Sequence, residues 1–442
     1  MDDLRTREAC VACDAHDPLA PLRDQFALDA VDAEGLIYLD GNSLGVLPKA
    51  TRDRVRQVVD EEWGTGLIRS WNDAGWVTLS QRIGDKIARL IGARAGEVIV
   101  ADSTSVNLYK VLSAAIALVD SNSANAGAGG AGAAERKRKR NRIVSERTNF
   151  PSDLYIADGL ARANGFELVL VDADEIAAHL DDRLAILLLT HVNYRTGRMH
   201  RMADVTRAAH AAGGVIVWDL AHSAGATPIE LGEADFAIGC GYKYLNGGPG
   251  APSFAWAHPR HTAWMDRVGW SQPLAGWFGH AAPFEFTTGY RPAAGMARFN
   301  CGTPPVLSLA ALECGVDTLL AAERYGGLGA VRTKSVVLGT LFVTLVQSRC
   351  AGYGLQLASP LDPDARGSQV SFAHREGGYA IMQALIARGV IGDFREPDLM
   401  RFGFTPLYTR YVDVWDAVDR LLQVLASGEW RDPRFATRAA VT

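Results

Sequence analysis

The sequence predicts an α/β protein: a large unit built on a doubly wound, mainly parallel sheet, followed by a smaller C-terminal α/β unit. Three observations carry this. Short apolar runs alternate with helical patterns from Gly96 to Cys240, the order that winds a parallel sheet. One run, Val215-Ile-Val-Trp218, is rich in β-branched residues and bounded by glycines, which reads as a strand buried on both faces. From Pro305 to about Val346 two long amphipathic helices lead into a second, shorter set of strands and helices.

A chain of 442 residues is long enough for two or three units with sizeable cores. With 48% hydrophobic and 21% charged residues it has the composition of an ordinary globular protein. A net charge of −5 supplies no basic field for nucleic acid. No apolar stretch approaches the roughly 20 residues a membrane helix needs, and the N-terminus MDDLRTREAC is acidic and polar, so a cytoplasmic protein is expected. Six cysteines point to reduced thiols rather than a disulfide framework. Cys10 and Cys13 form a CxxC with no second pair, and His258 and His261 lack companion ligands. No metal site is therefore read, and the two histidines are read as surface residues.

In chain order, an irregular start leads to a short strand, Gly35–Asp40, and a glycine-bounded turn, Gly41-Asn-Ser-Leu-Gly45. Pro48 opens a helix to about Trp63. Trp63, Trp71 and Trp76 crowd between glycines, which fits either an aromatic lid or packing of a surface loop. A strand at Gly96–Ala101 leads to Asp102-Ser-Thr-Ser-Val-Asn107, the start of a helix to about Val119. Such a Ser/Thr cluster is an N-cap, and its free N–H groups also make an anion site that needs no arginine. Residues 121–134 are low in complexity and 135–142 are basic. Together, 121–142 read as a solvated, disordered insertion whose deletion from Asn122 to Lys139 leaves activity intact.

The sheet resumes at Ile143–Glu146, and Asn149-Phe-Pro-Ser-Asp153 begins a helix. Strands follow at Phe166–Val171 and Leu184–Thr190, then a glycine-ended loop, His191–Gly197, and a helix over Met202–Ala212. The Val215 strand ends in Asp219, where open α/β sheets place their ligand crevice, and His222 follows. The next strand, Asp235–Cys240, ends in Gly241-Tyr242-Lys243. Singly, these are a sheet-edge acid and a solvated lysine. Jointly, they suit pyridoxal phosphate: the lysine forms a Schiff base with the aldehyde, and the acid keeps the ring nitrogen protonated so that the ring acts as an electron sink.

The strings WDLAH and GYKYLN around these residues, with GNSLG, NFPSD, GWFGH and the segment holding Arg401, resemble the fold-type I, class V aminotransferase-like family, and within it the kynureninases. The resemblance runs from Gly41 through Tyr408, and the 121–142 insertion departs from it. It implies an N-terminal segment contributing to the site (1–45), a large pyridoxal phosphate domain (46–305) and a small C-terminal domain (306–442). It implies Lys243 as the cofactor lysine, Asp219 on the ring nitrogen with His222 in support, and Thr104 and Ser105 on the phosphate. Phe150 would stack on the ring, Asp153 would bond near its 3-oxygen, and Tyr242, beside the phosphate, is the candidate acid. Trp277 and Thr303 would reach the phosphate of the neighbouring subunit in a homodimer. Ser43 and Trp71 would contact substrate, and Arg401 would hold its α-carboxylate by a two-pronged pair that lysine cannot imitate. The implied reaction is hydrolysis of the Cβ–Cγ bond of L-kynurenine, or its 3-hydroxy form, to anthranilate or 3-hydroxyanthranilate and L-alanine, in tryptophan degradation. The rival is a cysteine desulfurase-like lyase, which needs a reactive cysteine on a mobile loop. Here Cys350 follows an apolar helix with no activating histidine or lysine beside it.

Overall fold

The computed structural model describes residues 5–126 and 140–438. A two-residue strand, β1 (Ile37–Tyr38), precedes seven strands of one sheet: β2 (Val98–Ala101), β3 (Arg142–Glu146), β4 (Glu167–Val171), β5 (Leu184–Thr190), β6 (Val215–Asp219), β7 (Phe236–Gly239) and β8 (Ser253–Ala257). Their spatial order is β2-β8-β7-β6-β5-β3-β4. β3 to β7 are parallel, and β8 opposes both of its neighbours. The sheet is mainly parallel, as the alternation predicts. β8 escapes that pattern because it follows a glycine-rich loop rather than a helix, the short connection an antiparallel neighbour allows.

β5 and β6 are buried at every residue, which is why their sequences are continuous apolar runs. Successive side chains still go to opposite faces. Ile186, Leu188 and Val217 pack with Leu108, Val111, Leu112 and Ala157 from the helices Thr104–Ala126 and Pro151–Asn164. Leu187, Leu189 and Ile216 pack with Ile83, Ile87, Met202, Leu309 and Leu312 on the other face. The helix Thr104–Ala126 outlasts the expected end at Val119, since adding residues to a formed helix is cheap. The first six residues of the 121–142 segment are therefore helical, and the remainder lies largely outside the described residues.

The C-terminal unit holds β9 (Gln356–Leu357), β10 (Gln369–Ala373), β11 (Val390–Ile391), β12 (Asp393–Arg395) and β13 (Leu399–Gly403). Four of these form an antiparallel sheet, β12-β13-β10-β9, while β11 pairs in parallel with β1. Cys10, Ile37 and Leu39 accordingly bury in the same cluster as Phe342, Phe402 and Val418. The Asp14 carboxylate accepts the N–H groups of Tyr411 and Val412 at 2.7 and 3.0 Å, capping the last long helix.

Two expectations need correction. The 23-residue helix Gly327–Arg349 is long and apolar enough, by length and composition, to cross a membrane. Its Leu338, Leu341, Phe342 and Leu345 instead fill the C-terminal core, and its buried Lys334 pairs with Asp17 at 2.6 Å. His261 is not a surface residue: it is buried, stacks on Phe236 at 5.1 Å, and places Nε2 2.7 Å from Asp235. Asp235 also accepts from His210 (2.8 Å), Arg260 (2.5 Å) and the Ile216 N–H (2.8 Å). Burial alone would raise its pKa, but these bonds hold it below the usual carboxylate range and tie the start of β7 to β6.

Candidate active site

The carboxyl ends of the parallel strands open on a cavity of about 440 Å³. Each strand delivers its contribution at its carboxyl end or just beyond it: Ser103–Ser105 after β2, Phe150 and Asp153 after β3, Asp219 as the last residue of β6 with His222 after it, Tyr242 and Lys243 after β7. Eight predicted residues line this one space: Thr104, Ser105, Phe150, Asp153, Asp219, His222, Tyr242 and Lys243.

Lys243 is buried, with Nζ 3.3 Å from His222 Nε2 and 5.7 and 5.6 Å from the ring centroids of Phe150 and Tyr242. Asp219 accepts the Ala221 N–H at 2.8 Å, and its other oxygen lies 3.4 Å from the Thr190 hydroxyl, which also bonds Asn149. Burial raises the Asp219 pKa against the opposing pull of Lys243. Asp153, equally enclosed, is pushed well above the carboxylate range by burial and then by the charge of Asp219. Two acids buried side by side favour one shared proton. The His222 imidazole is held neutral by burial and by the charges of Lys243, Arg401 and Arg395. Burial likewise keeps the Tyr242 phenol protonated. Asp153 Oδ2 and His222 Nδ1 are buried without a hydrogen-bond partner among the described residues.

The GNSLG turn presses on the lysine loop. Gly45 N–H donates to the Tyr242 carbonyl at 2.8 Å, and a Cβ at Gly45 would lie 2.5 Å from the Lys243 carbonyl oxygen. No larger residue allows that approach.

Five predicted residues do not line the cavity within this chain. Ser43 and Arg401 meet beside it on Asp393. Arg401, 1% exposed, donates from Nε to Asp393 at 2.6 Å, from Nη2 to the second Asp393 oxygen and to Ser43 at 3.1 Å, and from Nη1 to the Tyr194 carbonyl. Ser43 in turn donates to Asp393 at 2.7 Å, and Arg395 lies 2.8 Å from the same carboxylate. The expected arginine is thus engaged by the protein itself. It reaches the cavity wall through Tyr194, whose ring meets Phe150 edge-on at 5.2 Å. Asp393 went unnoticed in the sequence. Only the β12–β13 register, which sets Asp393 opposite Arg401, brings the two together. Trp71 and Trp277 pack edge-to-face at 5.8 Å in a cluster with Trp76 and Phe278, and Thr303 is exposed. Cavity-lining Asp102, Ser103, Ser152 and Pro305 were also missed, although Asp102 and Ser103 adjoin the Ser/Thr cluster that marked the turn. Among the described residues no group of three or more His, Cys, Asp or Glu side chains is placed to hold a metal.

A lysine after one parallel strand, an acid ending its neighbour and the hydroxyls of a helix start meet in one cavity. Residues 37–326 match the aminotransferase class-V family model. Residues 331–421 match the model of the kynureninase C-terminal domain. A kynureninase of Burkholderia pseudomallei is 52% identical over 99% of this chain and all of its own length. One from Pseudomonas fluorescens is 51% identical over the same shares. The chain belongs to the kynureninase family. Among solved structures, a cysteine desulfurase of Thermococcus onnurineus superimposes with a TM-score of 0.72 at 17% identity, covering 92% of this chain and 98% of its own. One from Escherichia coli gives 0.70 at 19% identity with the same coverage. At these identities the likeness is one of fold.

Proposed function

We propose that this protein hydrolyses the Cβ–Cγ bond of L-kynurenine to anthranilate and L-alanine, in tryptophan catabolism and the supply of NAD precursors, with pyridoxal 5′-phosphate in the cavity. The observation that carries it is the convergence of Lys243, Asp219 and Asp153 on one cavity, in a chain half identical over its whole length to kynureninases. 3-Hydroxy-L-kynurenine carries the same reacting atoms and is the second substrate proposed.

The residues fit the cofactor. Thr104 and Ser105 present hydroxyls and N–H groups at a helix start to its phosphate. Phe150, half-exposed at the cavity wall, offers a face to its ring. The acid pair answers a protonated ring nitrogen, and the orphaned Asp153 Oδ2 and His222 Nδ1 supply acceptor and donor sites for its polar edge. When bound, pyridoxal phosphate supplies an aldehyde for amines and a conjugated ring that takes up electrons from bonds at the attached amino acid.

Asp219 holds the proton on the ring nitrogen, and Thr190 and the Ala221 N–H fix its carboxylate. Lys243 Nζ takes the proton from the substrate α-carbon, with His222 orienting it at 3.3 Å. Water adds to the γ-carbonyl, and collapse of the resulting diol breaks the Cβ–Cγ bond, releasing anthranilate. Tyr242, a phenol kept protonated by burial, donates a proton to Cβ, and Lys243 Nζ returns the α-proton to complete L-alanine. Arg401 and Ser43 take the α-carboxylate, and Trp71 borders the aryl ring. Trp277 and Thr303, which do not line the cavity of their own chain, complete the phosphate site of a second copy in a homodimer. The proposed setting is the cytoplasm, with no nucleic-acid or membrane partner.

A desulfurase reading is disfavoured by Cys350, which is 3% exposed within the C-terminal core, its thiol pushed up to about 11 by burial. The test is an absorbance spectrum of the purified protein, then L-kynurenine with anthranilate fluorescence as readout. A cofactor–lysine band that vanishes in Lys243→Ala, with anthranilate from the wild type, is expected. A band without anthranilate would refute the substrate, and no band after adding pyridoxal phosphate would refute the reading of Asp219 and Lys243.

A further inference from the structure

Behind the anion turn lies a charge with no part in the chemistry above. Lys110, on the second turn of the helix Thr104–Ala126, is 0% exposed. Its Nζ lies 2.8 Å from Asp102 Oδ2 and 2.5 Å from the Phe299 carbonyl oxygen. Asp102 lines the cavity beside Ser103, Thr104 and Ser105, with φ +49°, and its carbonyl accepts the Ser253 N–H at 2.9 Å. A carboxylate in that position repels any phosphate the turn would hold. Burying an ammonium is costly unless it is fully paired, and Lys110 is paired to this carboxylate and to one carbonyl of the segment leading to Thr303.

We propose that Lys110 is the counter-charge of the cofactor-phosphate site: it neutralises Asp102 and ties the Asp102–Ser105 turn to the 299–303 segment. It does not border the cavity, so it acts through Asp102 as a positioning residue. The inference rests on Thr104 and Ser105 being the phosphate contacts. Among the described residues lining the cavity Lys243 is the one lysine or arginine, so the net charge at the turn depends on whether Asp102 is compensated from behind.

The test compares two aldehydes on cofactor-free protein: pyridoxal phosphate and pyridoxal, which lacks the phosphate. Both are titrated by absorbance of the lysine adduct and by tryptophan quenching. Lys110→Met is expected to weaken pyridoxal phosphate binding by roughly ten- to a hundredfold, the loss of a charged hydrogen bond, and pyridoxal binding by less than about threefold. Adding Asp102→Asn to Lys110→Met removes the uncompensated carboxylate and is expected to recover much of the loss. Equal weakening for both aldehydes, or no recovery in the double variant, would overturn the proposal. Asp102→Asn alone, the variant to use if Lys110→Met does not fold, is expected to bind pyridoxal phosphate more tightly than wild type; weaker binding would overturn it. Thr104→Ala with Ser105→Ala is the control. An unchanged preference for the phosphorylated aldehyde there would remove the phosphate assignment, and the proposal with it, whatever Lys110→Met does.

Discussion

Replacing Arg401 by lysine separates the structural work of this side chain from its proposed contact with substrate. Arg401 spends Nε and Nη2 on Asp393, and its other bonds on Ser43 and the Tyr194 carbonyl. A lysine keeps the charge but presents one compact ammonium with no planar fork, so at least one of the two charged bonds to Asp393 is lost. Such a bond is worth about 1.5–3 kcal/mol. Asp393 is not left unpaired, because Arg395 stays 2.8 Å away, which keeps the loss below that of a broken buried ion pair. We expect Arg401→Lys to lower stability by about 2 kcal/mol, read from the urea midpoint at unchanged slope. We also expect KM for L-kynurenine to rise roughly tenfold or more, with kcat changed less, since a uniform binding contact is what is lost. A midpoint shift with KM within about twofold of wild type would make Arg401 purely structural and sink its role as carboxylate ligand. No change in either would refute the network itself.

Three further outcomes follow from the same geometry. Tyr242→Phe should lower kcat by roughly 10²–10⁴, the usual worth of a positioned acid, with KM little altered; undiminished turnover removes the proton-donor role. Asp40, enclosed beside Asp393, has a carboxyl pushed up to about 7 by burial and then by that neighbouring charge. Its folded pKa exceeds its unfolded value, so the stability it contributes is present in acid and lost as pH rises from about 4 to about 7. Asp40→Asn should therefore gain on the wild type between about pH 4 and pH 7 in urea midpoints, and a constant difference across that range would contradict the assignment. Asp235→Ala, which strips the acceptor from His210, His261, Arg260 and the Ile216 N–H, should cost about 3–5 kcal/mol. Because the Asp235 pKa is depressed, its contribution is present above about 4 and fades as pH falls, so the variant should lose less stability than wild type on acidification; parallel acid unfolding curves would refute this.

The sequence by itself determined the sheet-forming runs, the helices between them and, through them, the placing of Asp219, His222, Tyr242 and Lys243 at or just past strand ends. Asp219 and Lys243 are legible because each sits at or just past the end of a strand, where local periodicity marks the position, whereas the resemblance of their strings to the family is what singles out Thr104, Ser105, Phe150 and Asp153. What the substrate is came from resemblance, and then from relatives matched over the full length. Tertiary structure alone decided which distant groups became partners. It set β1 beside β11, uniting residues 37 and 390, and it set Asp393 against Arg401 through strand register. It buried His261 on Asp235, and Lys110 between Asp102 and Phe299. No local pattern announces such pairs, because a buried charge is satisfied by whichever group packing brings within hydrogen-bonding distance. Backbone geometry is written in neighbours a few residues apart, whereas the electrostatics of the site are set by contacts between elements far apart in the chain.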